Sequence, residues 1–361
     1  MQHKLFHPDI FSKNIPLFQD SNESVKQLIQ SILKKHYSQI YNEITYVGQF
    51  QGNEINSNNY KVVTPSGVYL VKMFIDINEY NKLQKILLLN NWLNTYDIQV
   101  AKIYPSNKGE FIIQEANSFW GIFDFIDGDF FTGINNIELL SVAQHLSSFF
   151  TKMKELPSDI YPIDTINYIY DDSILMSLMQ KNQKNWHSYF GQELASILNE
   201  NWLFLNNTYK KTSEKRKKIS NEQLIPSHVD LHPHNILVYD NQLTSILDID
   251  SIKLDFPLVS ISFSMYKLLK QSIISRGIKD NSLEISKISK LYLNTFRQGF
   301  PILESEIGNL YLYAVTEIFR RILIIFSLNL NDNDKRWNHV LPIHINGLKE
   351  AQIIFKSLNE K

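Results

Sequence analysis

The residues able to do chemistry are concentrated in one run. Ser227-His228-Val229-Asp230-Leu231-His232-Pro233-His234-Asn235-Ile236-Leu237 carries the spacing H-x-D-x-x-x-x-N, and Asp248-Ile249-Asp250 follows. Phosphoryl transfer needs these residue types. One carboxylate must accept the attacking hydroxyl's proton, and separate oxygen ligands must hold Mg²⁺ against nucleotide phosphates, because catalysis there is mainly positioning and charge neutralisation. Asp230 is then the base or hydroxyl-orienting group, with Asn235 and Asp248 as metal ligands. Between them Ile236 to Tyr239, the turn Asp240-Asn241, and Leu243 to Leu247 read as a hairpin. A hairpin brings its ends together, so Asn235 and Asp248 can face one ion. Three fixed letters recur by chance; the hairpin closing on D-x-D and a strand lysine upstream, Lys72, supply the context a motif needs.

The other groups nearby have plainer readings. With Asp230 in the base position, His228 is expected to prop the loop. His228, His232 and His234 lack an acidic partner at a zinc spacing, so no zinc site is expected. Lys215-Arg216-Lys217-Lys218 reads as a solvated helix end or loop. Arg320, Arg321 and Trp337 are candidates to line an acceptor pocket, although Ile322 to Phe326 beside the arginines mark that helix as mostly core.

The elements that must position the motif follow from periodicity. Ser21 to Ile40 has apolar residues at helical intervals, with Asp20 and Glu23 at capping-box spacing. From Ile44 the period changes: Tyr46 to Gly48, Tyr60 to Thr64, a Pro65-Ser66-Gly67 turn and Val68 to Phe74 predict an antiparallel meander. Asn78 to Asn94 predicts a helix packed on that sheet, and Ile98 to Tyr104, Glu110 to Glu115 and Gly121 to Ile126 predict further strands. After Gly133 nearly everything except the hairpin reads as helix, including Ile137 to Leu156, Ser173 to Asn182 and Gly191 to Thr208. The expectation is an α+β chain of two lobes: a helical extension over 1–43, a small antiparallel-sheet lobe over 44–128, and a larger helical lobe over 129–361. A ligand cleft is expected between the lobes.

Composition narrows the partners. The chain has 361 residues, 36 Lys plus Arg against 37 Asp plus Glu, and no cysteine. A formal charge of −1 provides no basic field for nucleic acid, and without cysteine there is no thiol nucleophile, disulfide or zinc-thiolate site. No signal-peptide core opens the chain and no stretch keeps eighteen apolar residues in a row, so a cytoplasmic protein without a membrane partner is expected.

His228 to Leu237 followed by Ile246-Leu247-Asp248-Ile249-Asp250 resembles the signature of the aminoglycoside phosphotransferase and choline kinase family, small-molecule kinases with a protein-kinase-like fold. The resemblance runs from about Tyr46 to the C-terminal helices. It implies that Lys72 anchors the α and β phosphates of ATP or GTP and that the lobe-joining segment Asp124-Phe125-Ile126 bonds the base. It also implies that the loop holding Gly48 and Gly52 covers the phosphates. Val229 stands where the family usually has glycine. The helix acid that should pair with Lys72 would be Glu79, with Gln84 as a neutral substitute. Ser260 and Ser262, after Asp255-Phe256-Pro257, stand where the family has an acid opening the next helix.

Two functions follow. The leading one is an ATP- and Mg²⁺-dependent kinase of a hydroxyl on a small metabolite such as a sugar, an amino alcohol or an aminoglycoside. The alternative is a catalytically degenerate nucleotide-binding module with a regulatory or interaction role. Such a module commonly loses the base or a metal ligand, whereas Asp230, Asn235 and Asp248 are all present. A protein substrate is disfavoured because no activation-loop-like segment separates Asp248 from the helices starting near Leu258.

Overall fold

The computed structural model describes residues 5–6, 18–40, 43–50, 57–74, 80–115, 117–161, 164–166, 172–219, 223–278 and 281–358. The first sheet is built from β1 (Phe18–Asp20), β2 (Tyr46–Phe50), β3 (Ser57–Thr64), β4 (Gly67–Phe74), β5 (Ile103–Tyr104), β6 (Ile113–Glu115) and β7 (Ser118–Asp124). Its order is β1-β2-β3-β4-β7-β5, antiparallel in every pair, with β6 also on β7. Side chains alternate across β4 as a half-buried strand requires. Tyr69 and Val71 face one way, with Val47, Val62 and Trp120, and are covered by Ile29, Ile32 and Leu33 of α1 (Glu23–His36). Leu70 and Phe74 face the other way, toward Leu83 and Leu87 of α2 (Tyr80–Thr95).

The leading helix starts later than its capping-box spacing suggests. Asn22 is the cap, accepting from the Val25 amide at 3.0 Å, and Asp20 instead ends β1, paired with Gly48. The α2 helix continues past the sheet: Leu89 and Leu93 enter the core of the second lobe. Of the strand expected over 98–104, only Ile103–Tyr104 joins the sheet, while Val100 bridges to Ile246 in the second lobe.

The second lobe opens with β8 (Asp129–Phe130), and its helices are α3 (Asn136–Met153), α4 (Asp172–Lys181), α5 (Trp186–Phe190) and α6 (Gln192–Ile219). After the motif region come α7 (Pro257–Ser275), α8 (Ser282–Gly299), α9 (Glu304–Ile307), α10 (Leu310–Asn331) and α11 (Leu341–Lys356). Leu146, Phe149, Phe150, Leu268, Phe296, Phe319 and Leu348 are among the side chains of its continuous core. Lys215 to Lys218 fall in the last turns of α6, with their side chains outside the described residues. Among the described residues no helix is long and apolar enough to cross a membrane.

The junction after β8 is pinned by a buried acid. Glu138 accepts from the amides of Thr132 (2.7 Å) and Gly133 (3.0 Å). Gly133 has φ +62°, and a Cβ there would fall 2.7 Å from both Phe131 and Ser272, so a left-handed turn and close packing both demand glycine. Its carbonyl accepts from Ser272 and Arg276 of the α7 end.

Candidate active site

The expected hairpin forms, from β10 (Ile236–Tyr239) and β11 (Gln242–Ile246). Asp240 and Asn241 have φ +47° and +61°, the two-residue turn whose twist suits a hairpin. The β8 strand adds to its other edge, giving the order β11-β10-β8. A second small pairing was not visible in the periodicity. Here β9 (Ile225–His228) lies antiparallel to β12 (Ile252–Asp255), with His228 opposite Ile252. The two strands clamp the ends of the motif loop and of the D-x-D turn against each other.

The stitching between those loops is local and specific. His228 is fully buried, donates from Nε2 to the Leu247 carbonyl (2.9 Å) and accepts at Nδ1 from the Asp230 amide (3.3 Å). Burial pushes its imidazole below the ordinary range, which keeps it neutral as that pair of bonds requires. The Val229 amide donates to Ser251 and the Leu247 amide to Asn235. The Val229 side chain packs with Ile166, Val259 and Tyr313, so the residue at the usual glycine position fills a small core of its own. Asn235 donates from Nδ2 to the Asp230 carbonyl at 2.8 Å, which turns its amide oxygen away from that bond.

Asp248 sits in the left-handed region, φ +58° and ψ +46°, unusual for a residue with a Cβ and costing roughly 1–2 kcal/mol. Its Oδ2 accepts from Ser251 Oγ. Burial, then the neighbouring Asp250 carboxylate, pushes the Asp248 carboxyl up. Burial also opposes ionisation of Asp250, but Lys72 and the bond from Asp248 outweigh it and hold Asp250 down. Lys72, on β4, points across the interlobe cleft to Asp250 Oδ1 at 3.4 Å. The acid at this lysine therefore comes from the D-x-D turn. Glu79 lies outside the described residues, and Gln84 is on the exposed side of α2.

Lys72, Asp248 and Asp250 lie along a cleft with about 540 Å³ of empty space, whose apolar walls include Leu70, Phe123, Leu87, Ala101 and Ile246. A mostly apolar cleft with a few convergent charges is the usual form of a small-molecule site. The sequence-assigned residues are not all drawn to it. Gly48 is in the middle of β2, where a Cβ would meet the Tyr46 ring; its missing side chain makes room for that tyrosine. Gly52 lies outside the described residues. In the lobe-joining segment the amides of Asp124 and Phe125 already donate to Lys102 and Val68 carbonyls, and Asp124 Oδ1 accepts from Tyr104 at 2.6 Å. The Phe125 ring lies against Phe18 and Lys61, and Ile126 packs beside Phe130 and Leu237.

The strongest contact to Asp230 comes from a helix far along the chain. Arg321 of α10 places Nη1 at 2.9 Å from Asp230 Oδ1 and donates from Nη2 to the Val229 carbonyl at 2.8 Å. The buried Glu317 holds Arg321 at 2.8 Å and Arg320 at 2.7 Å. Burial works against an ionised Asp230, yet Arg321, His232 and His228 together hold its carboxyl below the usual range. His232 Nε2 is 3.7 Å from the other oxygen, Oδ2, and His234 packs on Phe130. Trp337, by contrast, is exposed and stacks on His339. Ser260 is spent on the buried Asp255, to which it donates, while Asp255 also accepts from the Phe256 amide at 2.8 Å.

The donor set near Asp248 is oxygen only: two carboxylates and the Asn235 amide. That fits a hard divalent cation, whose charge would relieve the repulsion raising Asp248. Among the described residues no group of three or more His, Asp or Glu is gathered as a metal cage. Mg²⁺ suits such a sparse set, because it keeps waters and phosphate oxygens as ligands.

No family model matches the chain, and no curated protein matches it in sequence. Solved structures do match its fold. A spectinomycin phosphotransferase in complex with ADP and spectinomycin superposes with a TM-score of 0.64 at 16% identity, covering 92% of this chain and 98% of that one. The amicoumacin kinase hAmiN, in complex with AMP-PNP, Ca²⁺ and its Ami ligand, gives 0.60 at 13%, covering 93% and 96%. A choline kinase from Cryptosporidium parvum gives 0.54 at 15%, covering 92% and 98%. The chain thus has the two-lobe, protein-kinase-like fold of small-molecule kinases.

Proposed function

We propose that this protein is a phosphotransferase that moves the γ-phosphoryl group of ATP or GTP, with Mg²⁺, to a hydroxyl of a small metabolite. The observation that carries the reading is the stitching of the Asp230–Asn235 loop to the D-x-D turn, by His228 and the β9–β12 pair, where Asp248 and Asp250 line an interlobe cleft that Lys72 also lines. The complexes of the fold relatives with ADP and AMP-PNP add support. In this reading residues 44–128 form the nucleotide lobe and 129–361 carry the catalytic loop and the acceptor side.

Each group then has a task. Asp230 orients the acceptor hydroxyl and takes its proton; the hydroxyl oxygen bonds to phosphorus as the bond to the leaving diphosphate breaks. Asn235 and Asp248 would hold the ion, and Mg²⁺, when bound, neutralises phosphate charge. Lys72 exchanges Asp250 for phosphate oxygens. Apolar walls such as Leu70 and Phe123 take the base.

The test has two parts. Calorimetry at millimolar Mg²⁺ should show nucleotide binding that falls on chelation and in Asp248→Ala. A screen for ATP consumption over sugars, amino alcohols, nucleosides and aminoglycosides should then find an acceptor, and Asp230→Asn should lower kcat by about 10²–10⁴-fold with nucleotide binding nearly unchanged. Binding indifferent to Asp248→Ala, or equal transfer by wild type and Asp230→Asn, would sink the reading. Nucleotide binding without transfer to any acceptor would leave a binding module instead.

A further inference from the structure

Basic groups meet the Asp230 carboxylate from its own loop and from a distant helix. Arg321 comes from α10, His232 and His228 from its own loop. Beyond it His344 of α11 lies within electrostatic reach of Asp230, Arg321, Lys267 and Lys270, and burial followed by those cations pushes it well below the ordinary histidine range, so it is neutral. Glu317 is 2% exposed and taken up by Arg320 and Arg321, and Asp248 and Asp250 of the D-x-D turn line the interlobe cleft. Glu350 is 1% exposed and bound to Tyr266, Lys270 and the Phe6 amide.

Arg321 does more than balance charge. Its guanidinium is held on three sides: by Glu317 through Nε, by the Val229 carbonyl through Nη2, and by the Phe263 ring 4.3 Å from Cζ. A planar, rigid fork so fixed fixes in turn what it binds. It takes one carboxylate oxygen of Asp230, Oδ1, and the carbonyl of the residue before it, so that Oδ2, with His232 Nε2 at 3.7 Å, is the oxygen turned to an incoming hydroxyl.

We propose that Arg321 is a positioning residue for Asp230, its fixed fork setting the direction from which the carboxylate meets an acceptor hydroxyl. The inference rests on the phosphotransferase reading above.

Arg321→Met, Arg321→Lys and wild type are compared for ATP affinity, and for kcat and KM with D-glucose, D-glucosamine, glycerate and ethanolamine as acceptors. Acceptor-independent ATP hydrolysis is followed in each. Arg321→Met should lose about 10²-fold in kcat, the typical cost of a small misplacement of a reacting group. Its ATP affinity should stay unchanged, and Arg321→Lys, which keeps the charge but not the fork, should recover about tenfold. An Arg321→Met enzyme with wild-type kcat overturns the positioning role. A wild type that binds ATP but turns over no acceptor and hydrolyses no ATP overturns the phosphotransferase reading and this inference with it. If Arg321→Met does not fold, Arg321→Lys alone decides: unchanged kcat and KM overturn the proposal.

Discussion

Glu317→Gln is the most informative single change to the scaffold behind the site. Glu317 is 2% exposed, and its carboxylate takes bonds from Arg320 at 2.7 Å on each oxygen and from Arg321 at 2.8 Å. The side chains of Arg320 and Arg321 are themselves only 14% and 21% exposed, so solvent does little to replace a lost partner. Breaking a buried pair by removing one charge costs about 3–5 kcal/mol, because the other charge is left without compensation. Glutamine keeps the shape and one carbonyl acceptor, which places the expected loss near the bottom of that range, about 3 kcal/mol. The assay is urea unfolding followed by tryptophan fluorescence and near-UV circular dichroism, whose coincidence checks that one transition is being read. A cycle with Arg321→Met isolates the pair: the double variant should lose less than the sum of the singles, by roughly 1.5–3 kcal/mol. If the single change costs under about 0.5 kcal/mol, or the two changes are additive, the view of Glu317 as the anchor of Arg321 is wrong.

Gly133→Ala should destabilise by about 2–4 kcal/mol, from the left-handed backbone and the crowding against Phe131 and Ser272 together, read as a lowered urea midpoint; a loss under about 1 kcal/mol refutes it. For His344 the sign is set by a folded pKa held well below the unfolded value of about 6.5: the folded state keeps it neutral while the unfolded chain takes up a proton. Stability should therefore fall as pH drops below about 6.5, by up to roughly 1.4 kcal/mol per pH unit from this group, and the fall should flatten in His344→Gln. Identical pH–stability curves for the two proteins would refute it.

How far the site was legible in the sequence depended on the distance between partners. The hairpin and its turn were readable because Asp240-Asn241 and alternating apolar residues act over a few positions. So was the packing of α2 on the first sheet, because its apolar residues are too many for a helix facing solvent; that α1 covers the other face was not read. The β9–β12 pair was not, since Ile225–His228 is short, holds Pro226 and merges into the motif; only tertiary pairing makes it a strand. The contact of Lys72 with the D-x-D turn, 178 positions away, was not read from the sequence; Glu79, the acid expected to pair with it, lies outside the described residues. Arg321 stands next to Ile322 to Phe326, and this apolar run made the helix read as core. The clue was Glu317, an acid at three and four residues from two arginines on an otherwise apolar helix, which signals a buried charge network rather than a surface one.

Among the described residues the two lobes are joined by hydrogen-bonded backbone at two separate places. One is the 125–128 segment, bounded by the end of β7 and by β8, which is locked to β10 through Leu237 and Val238. The other is the stretch after α2, where the Ile246 amide donates to Gln99 at 2.7 Å. A door hung on two hinges keeps one freedom, rotation about the line through them. Sliding or twisting of one lobe over the other would have to tear ladder bonds of the very hairpin that ends in Asp248. Opening and closing about that line leaves the hairpin untouched and changes only the gap between the Lys72 wall and the D-x-D wall.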